Sequence, residues 1–314
     1  MTQLQQKNFI SPTQTSPTVA MFHPRLATVG QFIAVVLIWS LTPLAAVWTV
    51  HEIHWAWGLF IRFSLAIPLA LICLVCFRLK LTLSKQALMS YLAGALGLFG
   101  SMTFCYMGAT RVSSSMISII YGTAPLWTGL ISVFILKQER FHNLQWFGLT
   151  IAFIGLLLTM GIGSRDIQLD LVGVIYEIIA VMLYVLSMFA IARVGAGIHP
   201  IIQMTGSTIM SWLGYVCLLP FFVSSIPTEL PSIQTSIALL YSALCSSVLA
   251  MIFYFHLVQK LNPTTVMLIT IITPLLATIW GTLFNHEQIH LYLVTGLGLL
   301  CFGLFAYTYP RTKF

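Results

Sequence analysis

Long runs of apolar residues alternate with short polar connections along almost the whole chain. A membrane-spanning helix needs about 20 mostly apolar residues. Ten runs of that kind can be marked off: Val29–Trp48, Trp57–Phe77, Leu88–Gly108, Ser113–Leu136, Leu144–Ile162, Leu171–Ala192, Ile201–Val223, Ser236–Val258, Thr264–Phe284 and Leu291–Tyr309. Strands of a membrane barrel would be about ten residues long and would alternate polar with apolar positions, whereas these runs are continuously apolar. The pattern predicts an all-α membrane protein with ten transmembrane helices.

The composition excludes a water-soluble globular protein. The 314 residues are 59% hydrophobic and only 7% charged, whereas soluble domains carry about 25% charged residues. Residues 1–27 differ, because they are polar and rich in Thr, Ser, Gln and Pro. Such a segment cannot bury a core, so we expect a disordered cytoplasmic tail. It lacks the cationic start and apolar stretch of a signal peptide, and Met21 is an alternative start to Met1.

The placement of the basic residues predicts the orientation, because cytoplasmic loops collect Lys and Arg. With the N-terminus inside, eleven basic residues fall in inside segments and two, Arg111 and Arg165, in outside loops. The inside residues are Lys7, Arg25, Arg78, Lys80, Lys85, Lys137, Arg140, Arg193, Lys260, Arg311 and Lys313. We therefore expect a multi-pass protein of the inner (plasma) membrane with both termini cytoplasmic. The basic residues form no stripe, so no nucleic-acid partner is expected.

An internal repeat relates the two halves of the chain. Residues 109–130 align with residues 258–279, and with one residue dropped the alignment continues. The aligned pairs include Pro125 with Pro274, Glu139 with Glu287, Gly148 with Gly296 and Gly155 with Gly303. Each half then has five helices, at residues 28–162 and 163–314. An odd number of helices places the second half upside down, and inverted repeats are typical of transporters.

These stretches also carry a family resemblance. The segments "APLWTGLISVFILKQERF" and "TPLLATIWGTLFNHEQI", with the Gly-x6-Gly helix that follows each, resemble the two repeats of EamA-type carriers in the drug/metabolite transporter superfamily. The chain departs from the family pattern at Trp39-Ser40 and at His286-Glu287-Gln288, where Trp-Gly and Gly-Glu-Arg are usual. The resemblance covers about residues 28–309. It implies an alternating-access transporter that exports amino acids, related metabolites or toxic compounds.

The resemblance also implies where the solute binds. It places a cavity between helices 1, 3 and 4 and their counterparts 6, 8 and 9. Polar and aromatic side chains inside those runs are then candidates for substrate contact, although in a helix bundle most such residues only pack. The candidates are Trp39, Thr42, Tyr121, Thr123, Tyr184, Tyr254 and Thr273.

Two prolines occupy matching places near the middle of helices 4 and 9. Proline removes a backbone hydrogen bond and kinks a helix. Because Pro125 and Pro274 recur in both halves, we interpret them as paired bends that line the cavity and assist gating. The alternative is a tolerated kink whose carbonyl is satisfied by neighbouring groups.

Two formal charges lie well inside apolar runs. Arg62 is five residues into helix 2 and Glu177 six residues into helix 6, which places them about 8 and 9 Å below the outer surface. One interpretation is an arginine that extends to the outer headgroups. The other is a pair, formed directly or through water, at the outer part of the cavity. Since Glu177 is the only acid inside a run, the sequence favours a neutral, zwitterionic or amphipathic solute.

Other chemistries have weaker support. The segment "HEQIH", His286 to His290, matches a zinc-protease pattern, but the repeat explains Glu287 as the second copy of Glu139. The six cysteines all lie in apolar runs and are interpreted as packing residues. We therefore expect no enzyme activity, no cofactor and no metal. A channel, or a membrane sensor or assembly protein that transports nothing, remains as an alternative function.

Overall fold

The computed structural model describes residues 24–135, 142–159, 170–195, 197–261, 263–288 and 290–308, and every regular element in these ranges is helical. The helices are α1 (Pro24–Glu52), α2 (Trp55–Cys76), α3 (Lys85–Ala109), α4 (Ser114–Phe134), α5 (Asn143–Thr159), α6 (Leu171–Val194), α7 (Pro200–Ser225), α8 (Ile233–Leu257), α9 (Pro263–Asn285) and α10 (Leu291–Thr308). Each coincides with one predicted apolar run. The all-helical class is therefore confirmed.

The ten helices differ in whether their length and apolarity suffice to cross a membrane. Seven of these helices are long and apolar enough to cross a membrane. The apolar stretches of the other three are shorter: residues 143–159 of α5, 269–285 of α9 and 291–307 of α10. The 17 residues of α5 reach about 26 Å at 1.5 Å per residue, slightly less than the hydrocarbon core of about 30 Å. Ten crossings in two inverted repeats therefore stay a prediction.

The start of α1 corrects the predicted tail. The tail was expected to reach residue 27, but α1 begins at Pro24. Proline suits the first turn of a helix, because its fixed φ is helical and its missing N–H would have no partner there. The rest of the predicted tail, with Met1 and Met21, lies outside the described residues, as does Glu139.

The bundle buries many polar side chains within a mainly apolar core and exposes large apolar side chains on its outside. Fully buried polar side chains include Ser40, Thr49, Ser90, Ser207 and Ser247, while large apolar side chains such as Val75 and Phe221 are exposed. Water would disfavour such a surface, but hydrocarbon solvates it. This distribution agrees with a multi-pass membrane protein.

Helices α5 and α10 approach each other at backbone distance. A β-carbon on Gly148 would lie 2.6 Å from the carbonyl oxygen of Gly303, and one on Gly155 would lie 2.6 Å from that of Gly296. Only glycine allows this approach. The predicted repeat pairs Gly148 with Gly296 and Gly155 with Gly303. Exchanging the two halves therefore turns each of these close contacts into the other one.

The remaining helix neighbours position the interior. Helix α1 packs against α8 and α9, and α6 packs against α3 and α4. Helix α2 packs against α7, and α4 packs against α9. Three segments widen to π-helical geometry: Leu96–Ser101 within α3, Ile131–Ile135 at the end of α4 and Ser242–Leu249 within α8. Such segments are frequent at functional sites, and those of α3 and α8 reach the central cavity.

Candidate functional site

A cavity of about 140 Å³ lies at the centre of the bundle. One water takes about 30 Å³ of liquid volume, so roughly five waters or one small metabolite would fill the cavity. Its wall comes from α1, α3, α4, α6, α8 and α9, as the resemblance implied, and also from α2. The lining residues on which the argument depends are Trp39, Thr42, Arg62, Cys105, Tyr106, Tyr121, Tyr184, Ser246, Tyr254 and Thr273.

Four aromatic residues form a continuous cluster on this wall. The ring centre of Trp39 lies 4.9 Å from that of Tyr254 and 6.5 Å from that of Tyr184, and the rings of Tyr121 and Tyr184 are 6.1 Å apart. The Tyr184 hydroxyl donates to the Tyr254 hydroxyl over 3.3 Å, and Tyr121 bonds Ser101 over 2.8 Å. With the hydroxyl groups occupied, the ring faces offer an apolar surface to a solute.

Two threonines of the predicted set also line the cavity. Thr42 donates to the carbonyl of Ile38 and shares a 2.8 Å hydrogen bond with Ser246 of α8. Thr273 donates to the carbonyl of Ile269, one turn earlier in α9. Six of the seven predicted contact residues therefore lie on one wall, although nothing bound in the cavity shows that they contact a solute.

Thr123 is the exception among the seven predicted contact residues. It is buried, but it lies outside the cavity lining. Its hydroxyl donates to the carbonyl of Ile120 over 2.6 Å and accepts from Trp127 Nε1 over 3.1 Å. The side chain thus supports the interruption of α4 between Gly122 and Ala124.

The prolines lie behind the cavity wall and do not line it, contrary to the interpretation above. Pro125 follows the interruption of α4, whereas Pro274 lies inside a continuous α9. Helix α4 touches α9 beside the second proline, because a β-carbon on Gly122 would lie 2.7 Å from Pro274 Cγ. Gly122 itself lines the cavity. A change at either proline would therefore reach the solute space through Gly122.

Arg62 points into the bundle, so its interpretation as an outer headgroup anchor is wrong. The residue is 3% exposed. Its Nε donates to Ser247 over 2.9 Å, and its Nη1 donates to the Tyr106 hydroxyl over 3.2 Å and lies 3.9 Å from the sulfur of Met102. The sequence held a signal for this orientation: Gly58, Ala66 and Ala70 recur at four-residue spacing with Arg62, and small residues mark packed helix faces in membranes.

Glu177 lies in the same region but does not pair directly with Arg62. The only ion pair within the described ranges joins Arg111 to Asp170. Glu177 is fully buried, and neither of its carboxyl oxygens has a hydrogen-bond partner among the described residues. The carboxyl group packs on Gly108, where a β-carbon would lie 2.2 Å from Oε1. The buried thiol of Cys105 lies near both Glu177 and Arg62.

The segment His286 to His290 makes a structural contact between the halves. Glu287 Oε1 accepts from the backbone N–H and the hydroxyl of Ser114 at 3.0 and 2.5 Å. Oε2 accepts from the backbone N–H of Ser115 at 3.2 Å and from its hydroxyl. The carboxylate thus satisfies the first N–H groups of α4, where the helix dipole favours negative charge. His286 and His290 are exposed.

Comparisons with known proteins agree with this architecture. The model of the EamA-like transporter family matches residues 27–161 and 171–309. The uncharacterized transporter YoaV of Bacillus subtilis (strain 168) is 28% identical over 90% of this chain and 97% of its own length. The uncharacterized inner membrane transporter YedA of Escherichia coli (strain K12) is 24% identical over 65% of both chains. A solved crystal structure matches 90% of this chain and 98% of its own with TM-score 0.66 at 16% identity, which shows a shared fold.

Proposed function

Because the chain belongs to the EamA-like transporter family and is a multi-pass membrane transporter, we propose that it exports a small organic metabolite through the central cavity. The solute is an amino acid, a related compound or a toxic compound. The observation that carries the proposal is the aromatic cavity itself, enclosed by seven helices at the middle of the bundle. Cavities of this kind, with an apolar wall and few polar groups, are typical of small-molecule sites.

The proposed architecture is ten crossings in two inverted repeats of five helices, at residues 28–162 and 163–314. Two sets of contacts support it. When the two halves are exchanged, the contact between α1 and α9 maps onto the contact between α6 and α4. In the same way, the contact between α1 and α8 maps onto the contact between α6 and α3. A π-helical segment also occurs in α3 and in α8, the third helix of each half, whereas the one at the end of α4 has no counterpart in α9. Transporters of this architecture bind solute between the repeats near mid-membrane and move by rocking one part against the other.

Alternating access would bend the bundle near the contact between Gly122 of α4 and Pro274 of α9, close in sequence to Pro125. We expect Pro125→Ala and Pro274→Ala each to slow transport more than they reduce the yield of folded protein, because each straightens one of two touching helices. Initial transport rates normalised to folded protein would measure this. Unchanged rates in both variants would contradict a gating role.

The proposed orientation places both termini in the cytoplasm, in an inner membrane, as the distribution of basic residues supports. Reporter fusions after Lys85, Lys137 and Phe314 should report the inside, and a fusion after Glu229 should report the outside. The reverse pattern would overturn the orientation.

The test of function compares metabolite levels in cells and medium, with and without the protein, followed by uptake into vesicles that contain it. We expect at least one small organic solute to move outward in a saturable, protein-dependent manner. Single-channel currents would identify a channel, and the absence of any flux would leave a sensor or assembly protein.

A further inference from the structure

The cavity wall carries one permanent positive charge and no acidic side chain among the described residues that line it. The charge belongs to Arg62, whose guanidinium is ionised at any physiological pH. Everything that holds it is neutral: the hydroxyl groups of Ser247 and Tyr106 and the sulfur of Met102. The rings of Phe63 and Tyr106, with centres 5.8 and 5.9 Å from the guanidinium carbon, give further support.

Glu177 does not supply the missing counter-charge in this structure. It is absent from the lining of the cavity, and its carboxyl group lies against Gly108 on a neighbouring part of α3. No ion pair joins it to Arg62 within the part of the chain that the structure describes. The arginine is therefore oriented by its neighbours without being neutralised by them.

A buried charge without a counter-ion is unfavourable, and an arriving anion removes that penalty. Carboxylates suit a guanidinium best, because two parallel N–H···O bonds match the two planar groups. In Arg62 the hydrogen bonds to described residues use Nε and Nη1, which leaves donors at Nη2. Thr42 and Ser246, which bond each other on the same wall, add hydroxyl groups for further polar contacts.

We propose that the transported solute is an organic carboxylate, amino acids included, whose carboxylate binds Arg62. Its apolar part packs on the rings of Trp39, Tyr184 and Tyr254. This inference rests on the proposed function and selects among its solute classes. Amines without an anionic group are disfavoured, because their charge would be buried beside a second positive charge.

The first experiment measures binding to the purified protein without any transport step. Three probes of nearly equal shape differ only in charge: phenylacetate, phenylacetamide and phenethylamine. We expect phenylacetate alone to raise the thermal unfolding temperature in a saturable manner. Equal stabilisation by all three probes, stabilisation by the amine alone, or stabilisation by none would overturn the proposal.

The second experiment tests whether Arg62 is the binding group. We expect Arg62→Gln to weaken phenylacetate binding roughly 10- to 100-fold, the value of a charge-assisted hydrogen bond. Arg62→Lys should retain part of the binding, and the surface variant Arg111→Gln should retain all of it. Unchanged binding in Arg62→Gln would contradict the assignment. If that variant does not fold, the comparison of the three probes on the unmodified protein still tests whether the site selects a carboxylate.

Failure of this inference differs from failure of the proposed function. If the metabolites that depend on the protein are amines without an anionic group, the protein transports but the carboxylate assignment is wrong. If phenylacetate binds through Arg62 while no metabolite level depends on the protein, the site exists but the transport proposal is wrong.

Discussion

Two arginines of this chain, Arg111 and Arg62, show opposite ways of placing a charge in a membrane protein. The side chain of Arg111 is 44% exposed and forms a 3.0 Å ion pair with Asp170 just outside the helices. Arg62 is 3% exposed, and no carboxylate pairs with it among the described residues. Exposed pairs contribute little to stability, whereas an unneutralised buried charge is costly. Arg62 therefore lowers the stability of the bundle, which is expected of a residue that serves binding.

The two acids near these arginines show the same contrast. Asp170 caps α6 by accepting from the backbone N–H of Gly173, and it also accepts from Arg111. Glu177, on the same helix, has no hydrogen-bond partner in the described chain. A carboxyl group in such surroundings is expected to be neutral, because an isolated buried carboxylate is very unfavourable. We therefore expect one acid to behave as an ordinary surface group and the other as a neutral packing group.

The largest expected effect comes from reversing the two arginine charges. Arg62→Glu would bury a carboxylate among groups arranged for a cation, which should reduce the free energy of unfolding by about 3–5 kcal/mol. Arg111→Glu should change it far less, because water solvates that position. Thermal unfolding in detergent, monitored by size-exclusion chromatography, measures both. Equal losses of stability in the two variants would contradict the difference between the buried and the exposed arginine.

The charge exchange between Arg62 and Glu177 gives the next test. A direct ion pair would allow Arg62→Glu to be rescued by Glu177→Arg, because the opposite charges would meet again. Since the two side chains face different neighbours here, we expect the double variant to remain as unstable as the sum of the single variants. Recovery of wild-type stability or transport would show that the pair forms in another conformation.

Replacing Glu177 by glutamine should have a smaller effect, near zero or stabilising. Glutamine keeps the shape and, like the neutral acid expected here, carries no charge, so the burial cost changes little. The unfolding temperature at several pH values measures this, with Glu229→Gln as the control at another acid. A large loss of stability would mean that the carboxylate has a partner that this conformation lacks.

A comparably small effect is expected at Asp170. The Gly173 N–H and the Arg111 guanidinium hold the pKa of this carboxyl below its usual value. A depressed folded pKa contributes stability above the unfolded pKa, and this contribution is lost as the pH falls through the folded pKa. Asp170→Asn should therefore be slightly less stable than wild type near neutral pH and equal to it in strong acid. A difference in stability between Asp170→Asn and the wild type that grows as the pH falls would contradict this prediction.

The sequence predicted the positions of the helices well, but it predicted less well which side of each helix faces the cavity. Length and apolarity are local properties, so all ten runs coincide with helices. The cavity residues Trp39, Tyr184 and Tyr254 were found because polar and aromatic groups inside apolar runs are conspicuous. Thr123 was misplaced because a threonine hydroxyl can bond its own helix as readily as a solute. The set of six cavity helices left out α2, although one interpretation placed Arg62 at the outer part of the cavity, since the side that a helix presents depends on neighbours distant in sequence.

The most direct test of the account is flux through liposomes that contain the purified protein. The solute is a carboxylate whose extracellular level depends on the protein, and the variants are Arg62→Gln and Arg111→Gln. The account predicts saturable transport by the wild type and by Arg111→Gln, with transport by Arg62→Gln reduced at least about tenfold. Equal transport by Arg62→Gln and the wild type would contradict the account.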